Sequence, residues 1–266
     1  MLGAIIGDIV GSRFEFDNIK TKEFELFTPE CFFTDDSVMS LAVAKAIIVS
    51  KCDYSHLSDT SIKYMQSIGR NYPNCGYGGS FYHWLFHYDN PKPYNSYGNG
   101  AAMRVSACGW AANTIEEAIA LSEKVTEISH NHNEGLIGAE ATTVAIFMAC
   151  QGKNVEEIRK HIDKNYYALD FTIDEIRNDY HFNETCQGTV PQAIMAFLES
   201  TNFEDAIRNA ISIGGDSDTL AAITGSIAEA YYGIPNTIRE KALAYLDKPL
   251  RQILLDFEMI YKPKII

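Results

Sequence analysis

Positive charge is what this sequence has least of. Lys and Arg together number 22 against 35 Asp and Glu, a formal net charge of −13. A general nucleic-acid binder needs a basic face to neutralise phosphates, and none is visible here. If the ligand is itself anionic, its positive charge must come from elsewhere, and a divalent metal is the obvious source.

Other absences narrow the class. The cysteines Cys31, Cys52, Cys75, Cys108, Cys150 and Cys186 include no CxxC pair, so neither a zinc knuckle nor a thioredoxin-type redox motif is indicated. Several lie inside apolar runs, as in Phe147–Cys150, and read as buried thiols in a reducing compartment. No stretch is long and apolar enough to span a membrane. The segment Met1–Asp8 lacks a basic n-region, and Asp8 breaks its short apolar run, so it does not read as a signal peptide. A soluble, cytoplasmic protein with no membrane partner is expected. No Gly-Lys-Ser/Thr loop is present, nor a GxGxxG after a strand. There is no Pro/Gly/Ser linker, low-complexity tract or repeat. Residues 1–266 therefore read as one domain, expected to act as a monomer, with 46% hydrophobic residues to supply a large core.

Strand signals are also scarce. Residues 22–27 alternate weakly, and that is all. The dominant periodicity is helical. In 115–128, Ile115, Ala118, Ile119, Val125 and Ile128 share a face; in 203–211, Phe203, Ala206, Ile207, Ala210 and Ile211 do the same. Segments 37–49, 139–150 and 219–232 are apolar on most sides, as central helices are. Pro191 fits the first turn of a helix running to about Leu198. An all-α domain follows. Gly3, Gly7 and Gly11, spaced by four, fall on one helix face and suit close helix contact. Three glycine-rich stretches interrupt the helices, at Cys75–Gly79, Ser96–Arg104 and Gly214–Asp216. There the backbone can approach a ligand closely. Ser96–Arg104 could also cradle an anion with backbone N–H groups.

What the sequence has in abundance is acid at two matched places. Thr34-Asp35-Asp36-Ser37 precedes the apolar helix at 37–49, and Asp216-Ser217-Asp218-Thr219 precedes the one at 219–232. Helix capping accounts for one oxygen in each. Each cluster supplies three, and each enters a crowded interior where unpaired carboxylates cost several kcal/mol. Few Lys or Arg lie near enough to pair them. Four carboxylates and two hydroxyls form an oxygen-only set, which suits Mg²⁺ or Mn²⁺ rather than zinc. Bridging carboxylates could hold two ions about 3.5–4 Å apart. Glu15, between Phe14 and Phe16, reads by position as a solvated helix-end residue. If it points into the acidic pocket, its pKa rises and it can shuttle protons. In Ser129-His130-Asn131-His132 the histidines lack further metal-ligating neighbours, so hydrogen bonding to a substrate is the better active role.

Five segments in order resemble the ADP-ribosylglycohydrolase family. They are Gly3–Glu15 (GAIIGDIVGSRFE), Phe33–Met39 (FTDDSVM), Ser96–Val105 (SYGNGAAMRV), Ser129–Thr143 (SHNHNEGLIGAEATT) and Ile213–Gly233 (IGGDSDTLAAITGSIAEAYYG). TDD followed much later by GGDSDT is the most specific part. The resemblance implies an all-α orthogonal helical bundle with a binuclear Mg²⁺ or Mn²⁺ centre. Thr34, Asp35, Asp36, Asp216, Asp218 and Thr219 match the metal-ligand motifs. Glu15, Asp36 and Asp216 are the implied catalytic carboxylates, with Glu15 the proton shuttle. Ser96, Tyr97, Gly98, Asn99 and Gly100 match the loop that holds the ADP-ribose diphosphate. Asn95 opens that loop, where some members have glycine. His130 matches a substrate-contacting histidine. The implied reaction is hydrolysis of the bond between ADP-ribose and an acceptor, either an ADP-ribosylated protein or a small conjugate. Two other readings use the same residues: a metal-dependent hydrolase of a nucleotide-sugar diphosphate, and a non-catalytic binding or structural protein. The second should have lost metal carboxylates, and all four are present.

Overall fold

Three glycines decide how the first helix meets the central one. A Cβ on Gly3 would lie 2.1 Å from the carbonyl oxygen of Gly225, and one on Gly7 would lie 2.0 Å from that of Ala221. Only hydrogen fits there, so the helices Leu2–Gly11 and Ser217–Tyr232 pack backbone against backbone, as the spacing of the glycines predicts. Every residue from Ser217 to Ala230 is buried. The helices Phe203–Ser212, Cys186–Leu198 and Asn133–Cys150 close round the same central helix. This close approach brings Asp8 on the first helix and Asp218 on the central one to the same end of the bundle.

The computed structural model describes residues 1–262. Among them no strand forms; one isolated bridge pairs Gly98 with Thr185. The all-α expectation holds. Segments 115–128, 203–211, 37–49, 139–150 and 219–232 correspond to the helices Ile115–Thr126, Phe203–Ser212, Asp35–Ser50, Asn133–Cys150 and Ser217–Tyr232. Among the described residues no helix is long and apolar enough to cross a membrane.

Three local expectations are corrected. Residues 22–27 are not a strand. Their alternation is real, since Lys22, Phe24 and Leu26 are half-buried while Glu23 and Glu25 are exposed. Arginine side chains, not a neighbouring strand, take the carbonyls: Arg208 Nη1 donates to Lys22 and Phe24, each at 2.8 Å, and Arg13 to Glu25. Pro191 does not sit in a first turn. Its helix starts at Cys186, where the Thr185 hydroxyl caps the Gly188 N–H at 3.1 Å. Pro191 is thus interior, and the Gln187 carbonyl, at an exposed residue, loses its usual donor. Finally, Cys31, Cys108 and Cys186 are buried, but Cys52 is exposed at a helix end.

Candidate metal centre and ligand cleft

The two acidic clusters begin two helices, and both helices open on one cleft of about 460 Å³. Capping explains little of them. Thr34 is the N-cap of its helix and its hydroxyl accepts from the Asp36 N–H at 3.3 Å, but Asp216, the other N-cap, makes no side-chain cap bond. The carboxylates are therefore left to the cleft. Asp36, Asp218 and Thr219 are buried, and Asp35 is half-buried. Thr219 Oγ1 donates to Asp36 Oδ2 at 3.2 Å, while Asp36 Oδ1 is buried with no hydrogen-bond partner. One oxygen from each of Glu15, Asp216 and Asp218 can be chosen so that all lie within 4.8 Å of one another.

Crowding of like charge is the electrostatic signature of this floor. Burial, then Asp8 and Asp216, push the Asp35 carboxyl well above the ordinary range. Burial, then Asp8 and Asp35, do the same for Asp36, and burial with Asp216 and Asp36 for Asp218. Glu15 is half-buried; burial, then Asp216 and Asp8, raise it to about 7. Its position corrects the solvated helix-end reading, because the turn Ser12–Phe14 ends with Glu15 lining the cleft. An oxygen-only floor with one orphaned buried carboxylate oxygen fits a hard divalent ion.

Sequence reasoning overlooked the residue that organises the first cluster. Asp8 is fully buried and accepts from the Thr34 N–H at 2.9 Å, the Thr34 hydroxyl at 2.7 Å, the Ser37 N–H at 3.0 Å and the Ser37 hydroxyl. Burial raises its carboxyl to about 6, against the pull of these bonds. The available signal was the one Asp8 was noted for, a lone carboxylate in an otherwise apolar helix. The second cluster is held by its glycines. Gly214 and Gly215 take φ of +68° and +75°, which few other residues tolerate. Asn18, also overlooked, clamps Gly215 from both sides, accepting its N–H at 2.7 Å and donating to its carbonyl at 2.9 Å.

The opposite wall is the glycine-rich loop. Ser96, Tyr97, Gly98, Asn99, Gly100 and His130 all line the cleft. Asn95 does not; it is exposed, with φ +57° and its N–H bonded to Asn131 Oδ1 at 2.8 Å, and it turns the chain into the loop. The left-handed backbone there is the kind glycine adopts without strain. Two of the loop's N–H groups are already engaged, Gly98 by the Ser96 hydroxyl at 3.1 Å and Asn99 by the Glu184 carbonyl at 2.8 Å. Asn99 also donates its side-chain amide to Asp216 Oδ2 at 2.7 Å, tying loop to acidic floor. His132 points elsewhere and caps the helix Asn133–Cys150 by accepting from Glu134 N–H at 3.1 Å. The rim carries Phe182, Glu184 and Thr185, and exposed Phe16 stacks on Phe182 with ring centres 6.2 Å apart. Arg104, fully buried, lines the inner end.

Fold and cleft together define an all-α protein with a carboxylate floor opposite a glycine-lined wall. The chain belongs to the ADP-ribosylglycohydrolase family, whose model matches residues 1–262. It is therefore a glycohydrolase of ADP-ribosyl linkages. It is 26% identical to the ADP-ribosylhydrolase ARH3 of Xenopus tropicalis, covering 93% of this chain and 91% of that protein. Similarity to the human ARH3 is 23% over 88% and 84% of the two chains. With the ADP-ribosylarginine hydrolase Tri1 of Pseudomonas putida, identity is 25% over 96% of this chain and 76% of that one. A solved structure described as an ADP-ribosylglycohydrolase-related protein complex shares the fold, with a TM-score of 0.70 at 20% identity over 98% and 95% of the chains.

Proposed function

We propose that this protein hydrolyses the glycosidic bond between ADP-ribose and an acceptor, with two divalent ions, Mg²⁺ or Mn²⁺, at the acidic floor. The observation that carries this reading is the convergence of Glu15, Asp216 and Asp218 within 4.8 Å beside the orphaned Oδ1 of Asp36. Thr34, Asp35, Asp36, Asp216, Asp218 and Thr219 would hold the ions, offering oxygen only, without sulfur or imidazole. Bound there, the ions would position ribose hydroxyls and acidify water, while the carboxylates of the floor would offset the positive charge of the oxocarbenium-like transition state.

The chain's own groups do the rest. Asp8 holds Thr34 and the start of its helix in register, so the first cluster is preset before ligand arrives. Asn99 fixes the orientation of Asp216. Burial, then Asp216 and Asp8, push the Glu15 carboxyl up in the metal-free protein, and its place at the cleft lets it hold a proton for the leaving atom and take one back from water. The loop from Ser96 to Gly100 gives the ADP-ribose backbone a wall in which Gly98 and Gly100 carry no side chain. On the acceptor side, Phe16 and Phe182 with Glu184 make an aromatic and acidic rim. A guanidinium stacks on aromatic faces and pairs with carboxylates, so this rim favours an arginine-linked conjugate.

A panel of arginine-linked, serine-linked and O-acetyl ADP-ribose, assayed with Mg²⁺ and with Mn²⁺ after chelation, tests the reading. Free ADP-ribose as product supports it. AMP as product would replace it with cleavage of the diphosphate, and binding without turnover would make the protein a non-catalytic receptor.

A further inference from the structure

We propose that Arg104 and Ser129 lock His130 as a hydrogen-bond donor to the ligand, with Nδ1 held as an acceptor inside the protein and the Nε2 proton turned to the cleft. Only the naming of that ligand as ADP-ribose rests on the function proposed above; the lock itself stands on the geometry of the free protein.

Arg104 is fully buried, and its Nη2 reaches Ser129 Oγ at 2.6 Å and His130 Nδ1 at 3.3 Å. A guanidinium can only donate. Ser129 Oγ, which accepts from Arg104, lies 2.8 Å from the same Nδ1 and is free to give its own proton to it. The opposite tautomer would set an Nδ1–H against an Arg104 N–H. Nδ1 therefore accepts, and a neutral ring carries its proton on Nε2. Protonation of both nitrogens is disfavoured, since burial and the Arg104 charge hold the ring well below the usual histidine range.

Nε2 faces the glycine-rich loop. A Cβ on Gly100 would lie 3.3 Å from it and one on Gly98 3.7 Å, so the bare backbone keeps its approach open. Phe81 and Tyr94, with ring centres 6.0 and 5.7 Å from the imidazole, hold the ring in place. Arg104 Nε and Nη1 have no hydrogen-bond partner in the protein, so its specific bonds are those to Ser129 and His130. Arg104 is thus a positioning residue: it keeps His130 a donor at every working pH. His130 then selects an acceptor oxygen, phosphoryl, ether or hydroxyl, and rejects a donor.

The test is nitrogen-15 NMR of histidine-labelled protein, with the His130 signal assigned by its loss in His130→Gln. The expected result is a neutral Nε2–H tautomer from pH 6 to 8, whose Nε2–H resonance moves when ADP-ribose is added. Ser129→Ala combined with Arg104→Lys, which removes both donors facing Nδ1, should mix the tautomers and weaken ADP-ribose binding roughly tenfold, about one hydrogen bond. Each single variant leaves one donor on Nδ1 and should keep the Nε2–H tautomer. Because the wild-type spectrum needs no variant, a misfolded Arg104 mutant does not remove the test. An Nδ1–H tautomer or an imidazolium in the wild type would overturn the lock. So would an unchanged tautomer in the double variant Ser129→Ala with Arg104→Lys. If conjugates are cleaved but ADP-ribose leaves the His130 signal unmoved, the donor role fails while the proposed function stands. If the lock is seen but no conjugate is cleaved, the function fails and the lock stands.

Discussion

Thr219 Oγ1 donates to Asp36 Oδ2 at 3.2 Å and so joins two acidic clusters that lie 183 residues apart in the chain. The bond matters because, among the described residues, the Asp36 side chain has no second hydrogen-bond partner, and its Oδ1 stays buried and bare. The clusters are one electrostatic unit: Asp216 raises Asp35 and Asp36, and Asp36 raises Asp218. What relieves one relieves the other.

Removing divalent metal should therefore cost activity and stability together. Chelation is expected to abolish turnover, and Mg²⁺ or Mn²⁺ to restore it. Thermal unfolding should rise with added ion, by about 2.7 kcal/mol at a concentration a hundred times the dissociation constant. Full activity in excess chelator would end the metal reading.

Asp35→Asn and Asp218→Asn should each abolish turnover without weakening the metal-free fold. Both carboxyls have a folded pKa raised above its unfolded value. In the metal-free protein their contribution is at its best below the ordinary carboxylate range, near pH 4, and is lost as pH climbs toward the raised values. Metal-free wild type should thus lose stability between pH 5 and pH 8, and each variant should lose less. Urea unfolding at the two pH values checks this. A variant clearly less stable than wild type at pH 8 would return these residues to helix capping.

Asp8→Asn should behave in the opposite way. Asp8 accepts from two N–H groups and two hydroxyls, all around buried Thr34 and Ser37. An amide nitrogen turned toward those donors leaves at least one unsatisfied, at roughly 1–3 kcal/mol. Denaturant unfolding of metal-free Asp8→Asn beside Asp35→Asn should give opposite signs at pH 8. Equal effects would mean Asp8 belongs with the ligands and not with the frame.

The contrast between these aspartates also shows what could be read in advance. Asp35, Asp36, Asp216 and Asp218 stand at the starts of apolar helices, and that placement is local and visible in a string of residues. The helices themselves were legible because their apolar faces repeat. Asp8 was visible only as a flaw in an apolar run, since its partners Thr34 and Ser37 lie 26 and 29 residues away and meet it only in the fold. Glu15 looked solvated because nothing in its neighbourhood reveals that Gly7 and Gly11 let the central helix come so near. The weak alternation at 22–27 was a strand signal without a strand, because period-two burial does not say whether a strand or arginine side chains take the carbonyls.

Phe16→Ala and Phe182→Ala test the acceptor side. Phe16 is 86% exposed and its stacking partner Phe182 lines the cleft. Losing either face should raise KM for arginine-linked conjugates by roughly three- to thirtyfold, the range of one stacked cation. Affinity for ADP-ribose, which lacks the acceptor, should hold. Equal losses for substrate and product would place the pair over the adenosine end instead.

Glu15→Gln separates proton transfer from binding. Shape and reach are nearly kept, and the titrating group is gone. If Glu15 moves a proton, turnover should fall by roughly 10²–10⁴-fold. The loss should lie in kcat, because a proton in flight matters only in the transition state. Binding of Mg²⁺ and ADP-ribose, measured by calorimetry, should stay close to wild type. Its oxygen lies with those of Asp216 and Asp218, so the competing role is that of a ligand. Lost metal affinity in Glu15→Gln would assign it there and move proton transfer to an aspartate of the floor. Near-normal kcat would make Glu15 a spectator whose raised pKa reflects only its burial and its carboxylate neighbours.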